Sequence, residues 1–319
     1  MRKSLRLASI DIGTNSIRLL VAECDGDRTR TLDRRMVITR LGEGVDETHL
    51  LSAAGIERTA VALRDYRSAM DALEPAGLTA AATSALRDCG NRDGFLDLAA
   101  GILGQRTEIL SGPEEARVSF IGAVSDIDWE GLDEAGLVLV FDIGGGSTEI
   151  IVGNRQGITV RSVDIGCVRM SERFLTMDPP SPVAVGRMES YIVGQIKPVI
   201  SEIVPQGASP AIGLAGTVTT LSAIKQGLEE YDTDRIHHSS LSRAEVEELF
   251  VKLASVDVEE RKRMMGIEPG RADIIVGGAA VLRVIMDLAG LEEILVSEKD
   301  ILDGMVIGLY REMTGGAGK

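Results

Sequence analysis

The order of apolar and polar positions predicts two similar halves. Three apolar runs between residues 5 and 39 read as consecutive strands, and three more between residues 137 and 164 repeat this opening. Helices and further strands alternate after each opening. After Ser52, for example, apolar positions recur at steps of three and four residues, which predicts a helix that begins there. This order predicts an α/β protein with two domains, mixed sheets and an interdomain cleft.

An acidic stretch at residues 125–136 separates the halves. We therefore predict an N-terminal domain of residues 1–125 and a C-terminal domain of residues 126–300. The last helix, about residues 301–319, is expected to pack on the N-terminal domain.

The composition argues against nucleic-acid binding. The 319 residues are 44% hydrophobic and 26% charged, as in an ordinary globular protein. The formal net charge is −15 and aromatic residues make up 3%, so the basic surface and the stacking aromatics of nucleic-acid binding are missing. If the ligand is a polyanion, local donors and a divalent cation must hold it, because the overall field repels it.

The sequence indicates a cytoplasmic protein with no membrane segment. Cys24, Cys89 and Cys167 are widely spaced and form no C-x-x-C pair, which favours reduced thiols. The first residues lack an apolar core of signal-peptide length, and no run of about 18 apolar residues occurs.

A glycine-containing motif occurs twice, each time between two apolar runs: DIGTNS at residues 11–16 and DIGGGSTE at residues 142–149. Glycine turns let consecutive amides approach an anion, and hydroxyl or amide side chains add donors. Asp11 and Asp142, at the strand ends, can hold a cation such as Mg²⁺ or its water shell. The predicted substrate-binding residues of the two turns are Gly13, Thr14, Asn15, Ser16, Gly144, Gly145, Gly146, Ser147 and Thr148.

Acidic residues near these turns are candidates for chemistry. Ser111 and Glu114 have the spacing of a capping box, which gives Glu114 a structural role. Glu115 lies one residue further on, where either the helix dipole or a catalytic function explains a carboxylate. Asp142 and Glu149 bracket the second turn and could serve a metal and water, although Asp142 could also merely fix its own turn.

Three further segments carry weaker signals. Arg87 follows a strand and suits phosphate oxygens, but an exposed Arg on a helix is usually solvated. Gly216 and Thr217 lie at a strand-to-helix turn, which offers an anion site or only close packing. Asn91 is expected to cap a helix, and the basic cluster at residues 261–263 reads as a solvated helix end that could extend a polyanion path.

Taken together and in this order, DIGTNS, TSALRD, SGPEEA, DIGGGSTE and GLAGT resemble the exopolyphosphatase and guanosine pentaphosphate phosphatase family. The resemblance implies two ribonuclease-H-like domains of the actin, sugar kinase and heat-shock ATPase type. It also implies removal of the terminal phosphate from polyphosphate or pppGpp, with Mg²⁺ or Mn²⁺ as cofactor. By the same resemblance Glu115 activates water, while Asp142 and Glu149 serve the metal and the nucleophile.

The resemblance leaves rival functions to compare. A pppGpp 5′-phosphatase presents the same terminal phosphoanhydride to the same motifs. An ATP-dependent kinase of the superfamily would use the glycines at residues 275–282, but these lie inside an apolar helical run where glycine allows close packing. A non-catalytic sensor should have lost Glu115 or Glu149, and both are present. The expected partners are polyphosphate or pppGpp, with neither nucleic acid nor membrane, and a homodimer is compatible with the chain. Where the family often has Leu-Arg-Glu, this chain has Ile301, Leu302 and Asp303.

Overall fold

The computed structural model describes residues 4–26, 28–129, 136–154, 156–205 and 210–315. The strands in chain order are β1 (Leu5–Ile12), β2 (Ser16–Cys24), β3 (Thr29–Ile38), β4 (Gly77–Ala82), β5 (Glu108–Ile109), β6 (Val138–Ile143), β7 (Thr148–Gly153), β8 (Ile158–Val163), β9 (Ala211–Leu214), β10 (Ser240–Ser242) and β11 (Glu293–Val296). The helices are α1 (Val45–Thr48), α2 (Ala53–Leu73), α3 (Ser84–Asp88), α4 (Arg92–Leu103), α5 (Gly112–Ala123), α6 (Cys167–Phe174), α7 (Pro182–Ile203), α8 (Ala215–Lys225), α9 (Thr233–Ile236), α10 (Arg243–Ala254), α11 (Val258–Arg261), α12 (Ile275–Ala289) and α13 (Ile301–Met313).

The chain divides into two compact units. The first comprises the residues up to Ile127 together with those from Lys299 onward, and the second comprises Asp128–Glu298. Part of the acidic stretch predicted as the domain boundary, and the end of the predicted last helix, lie outside the described residues.

The first unit contains a mixed sheet, which among its described strands has the order β3-β2-β1-β4-β5. β1, β2 and β3 are antiparallel, whereas β4 runs parallel to β1. Apolar side chains on both faces of this sheet are buried. Leu63 and Tyr66 of α2 and Phe95 of α4 belong to the larger core cluster, and Val306 of α13 packs with Leu20 of β2 in another.

The second unit repeats this arrangement. Its described strands have the order β10-β11-β9-β6-β7-β8, with β6, β7 and β8 antiparallel and β9 parallel to β6. α7 and α12 pack into one large core with this sheet, because their apolar positions recur at helical spacing and are buried. The predicted α/β class with mixed sheets is confirmed.

Local signals for helix starts had mixed outcomes. The Ser52 hydroxyl accepts from the Gly55 amide, so the predicted cap of α2 is confirmed. Asn91 occupies the N-cap position of α4, but its side chain instead bonds the amide and carbonyl of Leu51 at 2.8 and 3.0 Å. Helix α12 begins at Ile275, because a 3-10 turn at Pro269–Arg271 precedes it. Among the described residues, no helix is both long and apolar enough to cross a membrane.

Candidate active site

The two glycine motifs fold into the same four-residue turn. In the first unit the Gly13 amide donates to the Ser16 carbonyl oxygen, and in the second the Gly144 amide donates to that of Ser147, each at 3.0 Å. A Cβ at Gly13 would lie 2.9 Å from the Ser16 oxygen, and one at Gly144 would lie 3.1 Å from the Ser147 oxygen. A side chain at Gly13 would force the turn to shift, and one at Gly144 would crowd it more mildly, so both positions favour glycine.

The carbonyl groups of the first turn are held by the segment that follows β3. The Thr14 oxygen accepts from the Gly42 amide at 2.8 Å. The Asn15 oxygen accepts from the amides of Thr39 and Arg40 at 3.0 and 2.8 Å. These bonds fix the orientation of two consecutive peptide groups.

The segment that follows β8 does the same for the second turn. The Gly144 oxygen accepts from the Cys167 amide at 2.9 Å, at the start of α6. The Gly145 oxygen accepts from the Arg169 amide at 3.2 Å, and the Gly146 oxygen from Arg169 Nε at 2.9 Å. The sequence did not predict α6, and this helix start is what orients the glycine-rich turn.

The orientation of the carbonyls determines where the amides point. In a planar trans peptide the N–H is directed opposite to the C=O. The amides of Asn15 and Ser16 therefore point away from their holding segment, as do those of Gly145, Gly146 and Ser147. Successive amides pointing to one side form a concavity suited to an anion.

Side chains of the turns divide into two groups. Asn15 Nδ2 is a buried donor with no hydrogen-bond partner among the described residues, which suits an acceptor-rich ligand such as phosphate. Thr148 is fully buried, and its hydroxyl donates to the Ile165 carbonyl oxygen at 2.6 Å. The structure thus uses the Thr148 hydroxyl to tie β7 to the chain after β8, rather than leaving it as the ligand donor that the sequence predicted.

Asp11 is part of an ion-pair network within the first unit. Its Oδ2 accepts from Arg18 Nε at 3.0 Å and Nη2 at 2.6 Å, and Arg18 Nη1 also bonds Asp300. Burial raises the pKa of the Asp11 carboxyl above its usual value, although the Arg18 charge opposes this shift. Oδ1 is buried without a hydrogen-bond partner among the described residues, so it is the oxygen through which Asp11 can bind a cation or water.

Asp142 and Glu149 face each other across β6 and β7, and they are 6% and 0% exposed. The Ser162 hydroxyl donates to Glu149 Oε1 at 2.8 Å. Like charges directly opposite each other destabilise a sheet, and a divalent cation beside them offsets that repulsion. Carboxylate oxygens are the ligands that Mg²⁺ and Mn²⁺ prefer, so this donor set fits either metal.

Glu114 and Glu115 are adjacent but have different surroundings. Glu114 is exposed and accepts from the Ser111 amide and hydroxyl at 2.8 and 2.7 Å, so the predicted capping box of α5 is confirmed. These bonds, with the hydroxyl first, lower the pKa of Glu114. Glu115 is buried, and its Oε2 accepts from Arg87 Nη1 at 2.6 Å. Arg87 also donates to the Leu110 carbonyl oxygen at 2.9 Å, so two separately predicted site residues form one anchored ion pair.

The turn between β9 and α8 brings in an arginine that the sequence did not indicate. A Cβ at Gly216 would lie 1.3 Å from Arg271 Nη1, so the guanidinium occupies the space that a side chain would fill. Thr217 beside it is 2% exposed. Burial raises the pKa of Cys167, while the Arg271 charge opposes the shift. The predicted anion site at Gly216 and Thr217 therefore has a cation beside it.

The basic cluster at residues 261–263 differs from its predicted role. Arg261 is 2% exposed, and its guanidinium donates to the carbonyl oxygens of Leu253, Val256 and Ala272 at 2.8 to 2.9 Å. Arg261 is thus a structural residue of the second unit, and the prediction of a solvated helix end is wrong for it.

The chain is similar to known proteins in both sequence and structure. Residues 20–312 match the model of the Ppx/GppA phosphatase family. Exopolyphosphatase 2 of Mycobacterium tuberculosis is 38% identical over 317 residues, covering 95% of this chain and 98% of that protein. The guanosine-5′-triphosphate,3′-diphosphate pyrophosphatase of Vibrio parahaemolyticus is 28% identical over 96% of this chain and 59% of its own length.

Solved structures agree with the sequence matches. The crystal structure of an exopolyphosphatase-like protein covers 98% of this chain and 99% of its own, with a TM-score of 0.92 and 35% identity. That of a Ppx/GppA family member from Aquifex aeolicus covers 98% and 99%, with a TM-score of 0.80 and 28% identity.

Proposed function

The chain belongs to the Ppx/GppA phosphatase family, and we propose that it is an exopolyphosphatase that releases terminal orthophosphate from inorganic polyphosphate. The observation that carries this proposal is the pair of glycine turns with oriented amides, the second of which is bracketed by the buried carboxylates Asp142 and Glu149. Amides suit phosphate oxygens, and the carboxylates suit the divalent cation that a highly charged substrate requires.

The two glycine turns are the proposed phosphate-binding elements. The formal net charge of −15 gives no general attraction to a polyanion, so the oriented amides of residues 15–16 and 145–147 must supply it locally. The buried donor Asn15 Nδ2 adds a side-chain contact in the first turn. Arg87 and Arg271, each beside a predicted site residue, supply positive charge.

Asp142 and Glu149 of the second unit would hold Mg²⁺ or Mn²⁺. Asp11 Oδ1 is the candidate cation ligand of the first unit. The cation, when bound, neutralises charge on the phosphate oxygens. Glu149 is held on one side by Ser162, and Asp11 by Arg18, so both carboxylates are oriented by the protein itself.

Glu115 is the proposed general base. Its carboxylate takes a proton from the attacking water, the water oxygen bonds to the terminal phosphorus, and the phosphoanhydride bond breaks to release orthophosphate and a shortened chain. Arg87 Nη1 donates to Oε2 of Glu115 at 2.6 Å, which orients the carboxylate that receives the proton. Burial of Glu115 near the start of α5 suits this role, whereas exposed Glu114 is committed to the helix cap.

A second candidate is a pppGpp 5′-phosphatase. The similarity to the Vibrio parahaemolyticus protein favours it, and pppGpp presents the same terminal phosphoanhydride to the same groups. With this substrate the enzyme would act in the stringent response in the cytoplasm.

The test is phosphate release from long-chain polyphosphate, pppGpp and ATP, measured side by side with Mg²⁺, with Mn²⁺ and with excess chelator. We expect orthophosphate from polyphosphate in the first turnover and loss of activity with chelator. Preference for pppGpp would select the second candidate. Release of mid-length fragments, or full activity in chelator, would contradict both.

A further inference from the structure

Three side chains form a row across the second unit's antiparallel strands. Asp142 of β6 lies directly opposite Glu149 of β7, and Glu149 lies directly opposite Ser162 of β8. Residues directly opposite each other in antiparallel strands project from the same face of the sheet. We propose that Ser162 is a positioning residue, whose hydroxyl orients the Glu149 carboxylate for cation binding and catalysis. This inference rests on the proposed function.

The contact itself is short and specific. Ser162 Oγ lies 2.8 Å from Glu149 Oε1, and the Glu149 side chain is fully buried. A buried carboxylate accepts hydrogen bonds but donates none when ionised, so its orientation depends on the donors around it. Ser162 supplies such a donor from a neighbouring strand whose register is fixed by the ladder.

The first unit provides an internal comparison. The corresponding row there is Asp11, Arg18 and Met36, by the register of β1, β2 and β3. Arg18 carries its own donors and bonds Asp11 directly, and Met36 is 39% exposed. In the second unit the middle residue of the row is an acceptor, Glu149, and the third strand supplies a hydroxyl. In the first unit the middle residue is a donor, Arg18, and the third strand has Met36 instead. This difference is expected if the Ser162 hydroxyl orients Glu149, because Arg18 needs no added donor.

Loss of a hydrogen bond that orients a metal ligand typically lowers metal affinity or activity by about 10- to 100-fold. The best test compares Ser162→Thr with Ser162→Val, because the two side chains have the same shape and differ in the hydroxyl. Both are β-branched and suit a strand. Thr159→Val is the matched control, since it makes the same chemical change at an exposed position of the same strand.

Two readouts are measured for each variant. Steady-state phosphate release from polyphosphate gives kcat and KM, and electron paramagnetic resonance of added Mn²⁺ gives its affinity in the absence of substrate. We expect Ser162→Val to lose about 10-fold or more in kcat and Mn²⁺ affinity relative to Ser162→Thr. KM for polyphosphate should change little, because Ser162 is not part of the phosphate-binding turns. Thr159→Val should match the wild type.

The proposal would be overturned if the Thr and Val variants had equal kcat and equal Mn²⁺ affinity, whether both matched the wild type or both were impaired. Should Ser162→Val fail to fold, Ser162→Ala is compared with Ser162→Thr instead. A wild-type protein that releases no phosphate from polyphosphate or pppGpp would refute the proposed function, while the Mn²⁺ affinities would still decide the role of Ser162.

Discussion

Gly166 supports the second glycine turn, and replacing it with Ala should disturb the turn without breaking the fold. Gly166 precedes α6 with extended backbone angles, φ −152° and ψ 168°, which any residue adopts. An alanine Cβ there would lie 2.3 Å from the Gly145 carbonyl oxygen and 2.6 Å from the Gly146 nitrogen. The clash is therefore with the peptide group whose amide we propose to bind phosphate.

The size of the effect follows from that overlap. Ordinary van der Waals contact begins at 3.4 Å, so either the Gly145–Gly146 peptide or the start of α6 must move by about 1 Å. A misplacement of about 1 Å in an active site can cost about 10²-fold in rate. Since each tenfold in rate is about 1.36 kcal/mol, we expect Gly166→Ala to raise the activation barrier by about 2.7 kcal/mol.

The assay is kcat for phosphate release from polyphosphate, together with the Tm of each variant. Gly42→Ala is the counterpart in the first unit, where the Cβ would meet the Thr14 methyl group at 2.4 Å. A side-chain methyl can rotate away more easily than a peptide can move, so the loss should be smaller. Gly194→Ala, in α7 with no atom within 4 Å of the added Cβ, controls for the substitution itself. A folded Gly166→Ala variant with the kcat of Gly194→Ala would refute the role of this turn.

Three further predictions test other parts of the structure. Glu115→Gln should lower kcat by at least about 10²-fold, whereas Glu114→Gln should lower the Tm and leave kcat unchanged; equal losses of kcat in two folded variants would contradict the assignment. Gly304→Ala should destabilise by about 1–3 kcal/mol in denaturant unfolding, because its Cβ would lie 1.9 Å from a carbonyl oxygen of α5. Gly308→Ala, on the same helix in open space, should stabilise by up to about 1 kcal/mol, and similar unfolding midpoints for the two variants would refute the steric argument. Because burial raises the pKa of Cys167, little thiolate forms at pH 8, and this thiol should react with a disulfide reagent only after unfolding; rapid labelling of Cys167 in the native protein would refute its burial.

The strands, turns and helix cap that were predicted correctly are those that depend on local sequence patterns. Strands β1 to β3 and β6 to β8 follow from runs of apolar residues, and their turns follow from the glycines. The capping box at Ser111 accounted for Glu114 and thereby drew attention to Glu115. In each case the physical cause lies within a few residues of its effect, so periodicity and turn chemistry were sufficient.

Contacts between distant residues could not be predicted in this way. Arg18 bonds Asp300, 282 residues away, and no local pattern links the two. Arg271 reaches the α8 turn because Gly216 leaves room, which is a property of packing and not of spacing. Helix α6 was missed because it has eight residues and its N-cap, Gly166, makes no side-chain bond.

The duplicated motif shows how a repeated backbone can carry different chemistry. The two turns close in the same way, have the same strand register, and are each held by the segment after the third strand of their unit. The repeated motif therefore predicted the same role for Asp11 and Asp142. The residue opposite each aspartate then separates them, because it is Arg18 in one turn and Glu149 in the other. The Arg18 guanidinium neutralises Asp11 and weakens its attraction for a second cation, whereas the Glu149 carboxylate opposite Asp142 strengthens the attraction there. We therefore expect the second turn to dominate cation binding, with the first contributing mainly amides to phosphate.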